Sequence, residues 1–253
     1  MNEIAWSNPL PENALKDKVI LITGPTSGVG RTLSLEAAKM GATLILLGKD
    51  VKKLEKLYDE IVEQGSPEPA IHPCNLLNLN PENISDVTLA IDKLFGRLDG
   101  LVHNAADINR LASLEHYPPW VWQSIMQVNL NAPFLLTQAL LPLIKKSSAS
   151  AIIFALDDES IGKAYWGAYS AAKAGLRAFS QMLSSELENV PTIRVNNISL
   201  NKVNTKLRRR VFPAEPIESL MTVEEAVQPY LYLLSDQSSD VRGQTITVLP
   251  KEI

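Results

Sequence analysis

Val19-Ile20-Leu21-Ile22-Thr23-Gly24-Pro25-Thr26-Ser27-Gly28-Val29-Gly30 is the stretch that decides the fold. Its first residues are apolar without alternation, as expected of a parallel strand covered on both faces. Three glycines follow, and then a helix begins. A glycine-rich turn from a first strand into a helix N-terminus is a phosphate cradle. Backbone N–H groups and the helix dipole face the anion, and the missing side chains let the backbone approach. Gly24, Thr26, Ser27, Gly28, Val29 and Gly30 are the cofactor-binding candidates here. The spacing is wider than G-x-G-x-x-G, so the placement after the first strand carries the reading rather than the glycines alone.

Outward from this loop, short apolar runs alternate with longer amphipathic ones. Strands are predicted over 19–23, 43–47, 70–74, 101–103, 151–156, 192–198 and 245–249. Helices are predicted over 30–40, 51–64, 84–98, 119–145, 166–186 and 223–234. Asp50 is the expected N-cap of the second helix, and Thr222 with Glu225 fits a capping box for the last. Strand and helix alternating throughout is the pattern of an α/β, doubly wound parallel sheet. Residues 1–16, with Pro9 and Pro11, read as an N-terminal arm, and 17–253 as one domain.

Composition narrows the function classes. The chain has 253 residues, 45% hydrophobic and 21% charged, which is a globular composition. The net charge of −4 argues against a general nucleic-acid binder. One cysteine, Cys74, allows neither an internal disulfide nor a cysteine cage for a metal. His72 and His116 have no partners at ligand spacing, so no metal is expected. The start, Met1-Asn2-Glu3-Ile4, lacks the basic and apolar regions of a signal peptide, and no apolar run reaches the length of a membrane span. The expectation is a cytoplasmic protein that binds neither membrane nor nucleic acid.

The end of the second predicted strand reads cofactor choice. An NAD site places Asp or Glu there to hold the ribose 2′-OH. This chain has Gly48-Lys49: no carboxylate repels a 2′-phosphate and a lysine can pair with one. NADP is therefore expected over NAD. The plainer reading of Lys49 is a solvated loop lysine.

Tyr169-Ser170-Ala171-Ala172-Lys173 places a phenol and an ammonium four residues apart on one helix face. A nearby ammonium favours the phenolate and lowers a tyrosine pKa, so Lys173 is expected to tune Tyr169 for acid–base work. Pro133 lies four residues after Asn129 and has no N–H. The Asn129 carbonyl therefore loses its helical partner and is free to accept from a water.

Thr23-Gly24-x-x-x-Gly28-x-Gly30, Asn104-Ala105-Ala106, Val128-Asn129 and Tyr169-x-x-x-Lys173 occur in this order, with Gly243-Gln244-Thr245-Ile246-Thr247-Val248 at the end. Together they closely resemble the classical short-chain dehydrogenase/reductase family from about residue 17 to 249. Within that family the chain looks most like uncharacterised bacterial reductases and 3-oxoacyl-carrier-protein reductases. The resemblance implies a Rossmann fold whose seven-stranded parallel sheet runs in the order 3-2-1-4-5-6-7, with helices on both faces. It implies an NADP-dependent oxidoreductase that moves a hydride between nicotinamide and a carbonyl or alcohol substrate, acyl-carrier- or CoA-linked substrates included. Tyr169, Lys173 and Asn129 take the catalytic roles: Tyr169 exchanges the substrate proton, Lys173 holds the nicotinamide ribose, and Asn129 holds a water linking Lys173 to solvent. Asn104 and Ala105 line the ribose region, Asn75 and Leu76 the adenine, and Val203 and Thr205 the nicotinamide. A homodimer or homotetramer built on helices 119–145 and 166–186 also follows.

The chain departs from the family pattern at several places. Counting back thirteen residues from Tyr169, where the family has a serine that polarises the substrate oxygen, gives Leu156; Asp157 and Asp158 follow. An ionised Asp157 accepts rather than donates and is expected to raise the Tyr169 pKa. Ser160 replaces the serine only if its loop rearranges. Leu200-Asn201 stands for the family's Pro-Gly, Asn75 for an Asp, and Ala106 for a Gly. These changes motivate a second reading, a dinucleotide-binding pseudoenzyme used in sensing or assembly. His103 reads as a core histidine, and Trp120, Trp122 and Trp166 as packing or helix-interface residues. Arg208-Arg209-Arg210 reads either as a solvated basic turn or as a dock for an anionic substrate or acyl carrier.

Overall fold

The computed structural model describes residues 9–248. Seven parallel strands form one sheet: β1 (Val19–Thr23), β2 (Thr43–Gly48), β3 (Ala70–Pro73), β4 (Gly100–His103), β5 (Ser150–Leu156), β6 (Ile193–Leu200) and β7 (Thr245–Val248). Their order is β3-β2-β1-β4-β5-β6-β7, as the sequence implies. The predicted end of the last strand, Leu249, lies outside the described residues. So do residues 1–8 of the predicted arm. The end of that arm joins the core: Leu15 is fully buried and its amide donates to the Met40 carbonyl at 3.0 Å.

The described residues form eight α-helices, α1 (Gly28–Lys39), α2 (Val51–Glu63), α3 (Pro81–Phe95), α4 (Pro119–Met126), α5 (Ala132–Ile144), α6 (Gly167–Glu186), α7 (Lys206–Val211) and α8 (Val223–Leu234), of which α1, α2 and α8 cover one face of the sheet and α3, α5 and α6 the other. Strand side chains alternate between two cores. Ile20, Ile22, Leu44 and Leu46 pack beneath α1, α2 and α8. Leu21, Ile45, Leu101 and Ile152 pack beneath α3, α5 and α6. Continuous apolarity in the strands thus reflects burial on both sides. The expected caps form: Asp50 accepts from the Lys53 amide, and Thr222 with Glu225 completes its box.

Two local expectations are corrected. The predicted helix 119–145 is three pieces, because Gln127–Asn131 winds as a π-helix between α4 and α5. Pro133, in the first turn of α5, withholds the N–H that an α-helical Asn129 carbonyl needs, and the ladder slips there. Helix α7 was not expected, since Lys206-Leu207-Arg208-Arg209-Arg210-Val211 has no sustained apolar period. It starts because the Thr205 hydroxyl accepts from the Arg208 amide at 3.1 Å.

At the bottom of the sheet, Asp99 ties three strands together. Its carboxylate accepts from the Val19 amide at 2.8 Å, the Ser147 hydroxyl at 2.6 Å and the Arg97 guanidinium at 3.1 Å. Its own amide donates to Val19 O and its carbonyl accepts from Ala151. Asp99→Ala leaves the buried Val19 and Ser147 donors unpaired, and is expected to cost about 2–3 kcal/mol. Urea unfolding monitored by circular dichroism measures this, with the m value unchanged.

Candidate active site

The sheet order reverses between β1 and β4, and ligands of open α/β sheets bind at such a switch point, beyond the carboxyl ends of the strands. A cavity of about 810 Å³ opens there. Gly24, Thr26, Ser27, Gly28, Val29, Lys49, Asn75, Leu76, Asn104, Ala105, Tyr169, Lys173, Val203 and Thr205 all line it. The two residues among the expected set that do not are Gly30 and Asn129.

The glycine loop owes its shape to packing. Gly24 and Gly28 have φ of +65° and +51°, a region that excludes most side chains. A Cβ on Gly30 would sit 2.3 Å from Gly24 O and 2.4 Å from Asn104 Nδ2. Gly30 is therefore a packing glycine behind the loop. Asn104 holds the loop from below: its Nδ2 donates to Thr23 O at 3.1 Å and Gly24 O at 3.2 Å. Thr23 Oγ1 accepts from the amides of Asn104 and Ala105 and donates to Val102 O. Ser27, at the N-cap of α1, makes no side-chain cap bond, so its hydroxyl and the positive end of α1 serve the cavity.

Lys49 is exposed beyond β2 at the cavity edge, and its neighbour Asp50 pairs with Lys53 instead. The Asn75 side-chain oxygen accepts from the Leu77 amide at 3.2 Å, which fixes its direction in the turn after β3.

At the other end, α6 carries Tyr169 and Lys173, both buried. Lys173 Nζ donates to Ala155 O at 2.7 Å and lies 5.5 Å from the Tyr169 ring centroid. The expected lowering of the Tyr169 pKa is overturned. Burial raises it well above the usual phenol value, and the Asp157 charge beside the hydroxyl raises it further. The ammonium fails to counter this because it sits over the ring and points at a carbonyl. Burial also brings Lys173 down to about 8, with Asp157 opposing. Asp157 itself is raised, chiefly by burial, against the pull of Lys173.

Asn129 stands behind the cavity, where its Nδ2 donates to Asp107 O at 2.8 Å and Ile125 O at 2.9 Å and its oxygen accepts from the Asp107 amide. It ties the π-helical turn to the loop after β4. Leu156 packs in the core beneath α5 and α6, 2% exposed, and also borders the cavity, to which it offers no hydrogen-bond donor. Ser160 is fully buried, donates to Asp157 O at 2.7 Å and does not line the cavity.

The segment carrying α7 roofs the site. Val203 bridges to Met221 at its base. Arg208 makes a two-pronged pair with Glu215 at 2.7 and 2.8 Å and stacks on Phe212, and Arg210 pairs with Asp107 at 3.3 Å. Arg210 thus ties the roof to the loop after β4, and Arg208 braces the roof from within. Trp166, Leu207, Val211 and Phe212 give the cavity its apolar wall, and Trp120 reaches its edge while 65% exposed. Sequence reasoning missed this wall, because the residues come from unrelated loops with no shared spacing. Asp107 was missed as well; its only signal was proximity to Asn104.

His103, at the end of β4, is a core residue as expected. It bonds Thr137 Oγ1 at 2.8 Å and stacks on Phe154. Burial, and then the Lys173 charge, lower its pKa from 6.5 to about 3. Among the described residues no group of three His, Cys, Asp or Glu side chains could hold a metal ion, and no helix is long and apolar enough to cross a membrane.

Residues 18–216 match the family described as short chain dehydrogenase. The uncharacterized oxidoreductase YciK of Escherichia coli K12 is 36% identical over 240 residues, 94% of each chain. The 3-oxoacyl-(acyl-carrier-protein) reductase FabG of Thermotoga maritima is 32% identical over 244 residues, 92% of this chain and 97% of that one. The crystal structure of YciK superposes with a TM-score of 0.91 over 96% of this chain and 99% of that one. A protein of Escherichia coli CFT073 solved in complex with NADPH is 36% identical, with a TM-score of 0.91 over 95% of this chain and all of that one.

The His103 shift has a definite sign. The folded state keeps the ring neutral down to about pH 3, while the unfolded chain takes a proton below about 6.5. Stability from this residue is therefore intact above 6.5 and falls on acidification, by up to about 1.4 kcal/mol per pH unit. His103→Gln is expected to flatten that part of the slope, read as the difference between wild-type and variant urea midpoints across the acid range.

Proposed function

The chain belongs to the short-chain dehydrogenase family, and from that premise we propose that it is an NADP-dependent oxidoreductase acting on a carbonyl or alcohol substrate. The observation that carries this is the meeting of the glycine loop and the Tyr169–Lys173 pair on one cavity. The residues present fit a dinucleotide. The loop leaves the α1 N-terminus open to a pyrophosphate, and the Gly24 and Gly28 conformations keep side chains off it. Lys49 would pair with a 2′-phosphate; Asn75 and Leu76 would hold the adenine, and Asn104 and Ala105 would lie along the ribose. Val203 and Thr205 would border the nicotinamide. The NADPH complex of the Escherichia coli CFT073 relative supports this choice of cofactor over NAD.

When bound, the cofactor supplies or accepts the hydride. Tyr169 donates its phenolic proton to the substrate oxygen in reduction and takes it back in oxidation. Lys173 would hold the nicotinamide ribose. Asn129 keeps the π-helical turn, and with it the free carbonyl, in place behind Lys173, where a water could pass protons to solvent. The apolar wall of Trp166, Leu207, Val211 and Phe212 excludes bulk water and favours a carbonyl carried on an apolar body. Self-association as a homodimer or homotetramer through α5 and α6 fits the exposure of Phe134 and Met182, at 42% and 49%. Of the Arg208-Arg209-Arg210 run, Arg208 pairs with Glu215 and Arg210 with Asp107.

Calorimetric titration with NADPH and NADH side by side tests the cofactor reading. NADPH is expected to bind at least tenfold tighter, and Lys49→Glu to remove about 1.5–3 kcal/mol of that preference. Equal affinity for both, or none, would overturn it. Tyr169→Phe is expected to keep the NADPH affinity and to lower kcat by about 10²–10⁴ with a carbonyl substrate. Tight NADPH binding with no oxidation of NADPH by any carbonyl would favour the pseudoenzyme reading instead.

A further inference from the structure

We propose that Asp157 is a catalytic residue: in its protonated form it donates a hydrogen bond to the same substrate oxygen that Tyr169 protonates. The proposal rests on the reductase reading above and adds a residue and a pH requirement to it. It gives the site the second donor that a hydroxyl supplies in the family and that neither Leu156 nor Ser160 supplies here.

Geometry places the carboxyl there. Side chains of β5 alternate between the two cores, and Leu156, the last of them, enters the core beneath α5 and α6. Asp157 is the first residue beyond the strand. It lines the cavity, and its carboxyl lies beside both the Tyr169 hydroxyl and Lys173. Its Oδ1 is fully buried and meets no donor in ordinary hydrogen-bond geometry, while the Tyr169 hydroxyl and the Ser160 amide lie against the carboxyl. An ionised carboxylate in that setting is desolvated and short of donors, which is costly. A proton on the carboxyl turns it into a donor, and the cavity then offers a place for the acceptor it needs.

The groups around Asp157 explain why a proton can stay. Lys173 and Tyr169 face it from α6, Arg208 from α7, and Glu159 from its own turn. Both cations are engaged elsewhere: Lys173 donates to Ala155 O and Arg208 to Glu215. Burial therefore outweighs their pull and holds the carboxyl above the usual carboxylate range. A carboxylic acid kept neutral by an apolar site is a known oxyanion-hole donor.

In a reduction the substrate carbon receives the hydride, the carbonyl π bond becomes the C–O single bond, and the dinucleotide is oxidised. The oxygen takes the Tyr169 proton, and Asp157 keeps its own proton throughout. Ionisation of Asp157 harms this step twice. It removes the donor, and its charge makes the Tyr169 phenol a weaker acid. Reductive kcat/KM is thus lost as pH rises through the Asp157 pKa.

The test follows NADPH oxidation by the full chain between about pH 5 and 8, with phenanthrenequinone as the carbonyl probe and NADPH affinity measured in parallel. Wild-type kcat/KM is expected to fall with rising pH, approaching about tenfold per unit. Asp157→Asn and Asp157→Ser, uncharged and still donors, are expected to lose that limb and to exceed wild type at the alkaline end. Asp157→Ala, uncharged without a donor, is expected to run about 10²–10³ below Asp157→Asn at every pH with unchanged NADPH affinity. The proposal is overturned by a wild-type profile that is flat or rises, by a limb that persists in Asp157→Asn, or by Asp157→Ala matching Asp157→Asn. A wild type that fails to bind NADPH, or that binds it without turnover while every variant does the same, overturns the reductase reading itself and the proposal with it, and is distinguished from those outcomes by the affinity measurement.

Discussion

The hydroxyl of Thr23 stands at the point where the sheet reverses its order. It donates to β4 through Val102 O and accepts the amides of Asn104 and Ala105, while the Asn104 side chain returns two bonds to Thr23 and Gly24. This reciprocal clamp holds the end of β1 against the end of β4. The glycine loop cannot drift without breaking it, because Gly30 packs where Gly24 O and Asn104 Nδ2 leave no room for a Cβ. The opening of α1 toward the cavity, the direction of the loop after β4 and the position of Asn129 beneath that loop all follow from this junction.

From the same loop the structure builds its catalytic end. Asp107 receives Asn129 on its backbone and Arg210 on its carboxylate, so one short turn links the π-helical segment to the roof. The π-helix lies where Pro133 withholds an N–H from the helical ladder. Tyr169 and Lys173 then sit in a site dry enough that burial, more than any partner, sets their protonation. Tyr169 is pushed up, Lys173 down to about 8, and neighbouring His103 down to about 3. The Lys173 ammonium lies over the Tyr169 ring and on Ala155 O, while Asp157 faces the hydroxyl, so the anticipated Lys173 effect on Tyr169 is absent and the Asp157 effect is present.

Much of this was legible beforehand. All seven strands were anticipated from unbroken apolar runs between amphipathic ones, and their order from the family resemblance. Of the site residues singled out, Gly24, Thr26 through Val29, Lys49, Asn75, Leu76, Asn104, Ala105, Tyr169, Lys173, Val203 and Thr205 reach one cavity. Gly30 and Asn129 stand behind it, supporting its walls. What escaped was of a different kind. Helix α7 depends on one Thr205 cap, and the Arg208–Glu215 pair crosses a turn with no period. The apolar wall gathers Trp166 and Phe212 from separate segments.

The amino-acid sequence by itself determined the alternation of strand and helix, the position of the glycine loop after the first strand, and the pairing of a phenol with an ammonium on one helix face. These are local properties, written in periodicity, turn chemistry and spacing along the chain. Only the tertiary structure decided that Leu156 packs in the core at the cavity border while Asp157 faces Tyr169, that Ser160 is occupied by a backbone carbonyl, and that Arg208 and Arg210 are paired. Those outcomes depend on which face a strand end presents and on how much water remains around a charge. Such quantities do not exist until distant segments pack together.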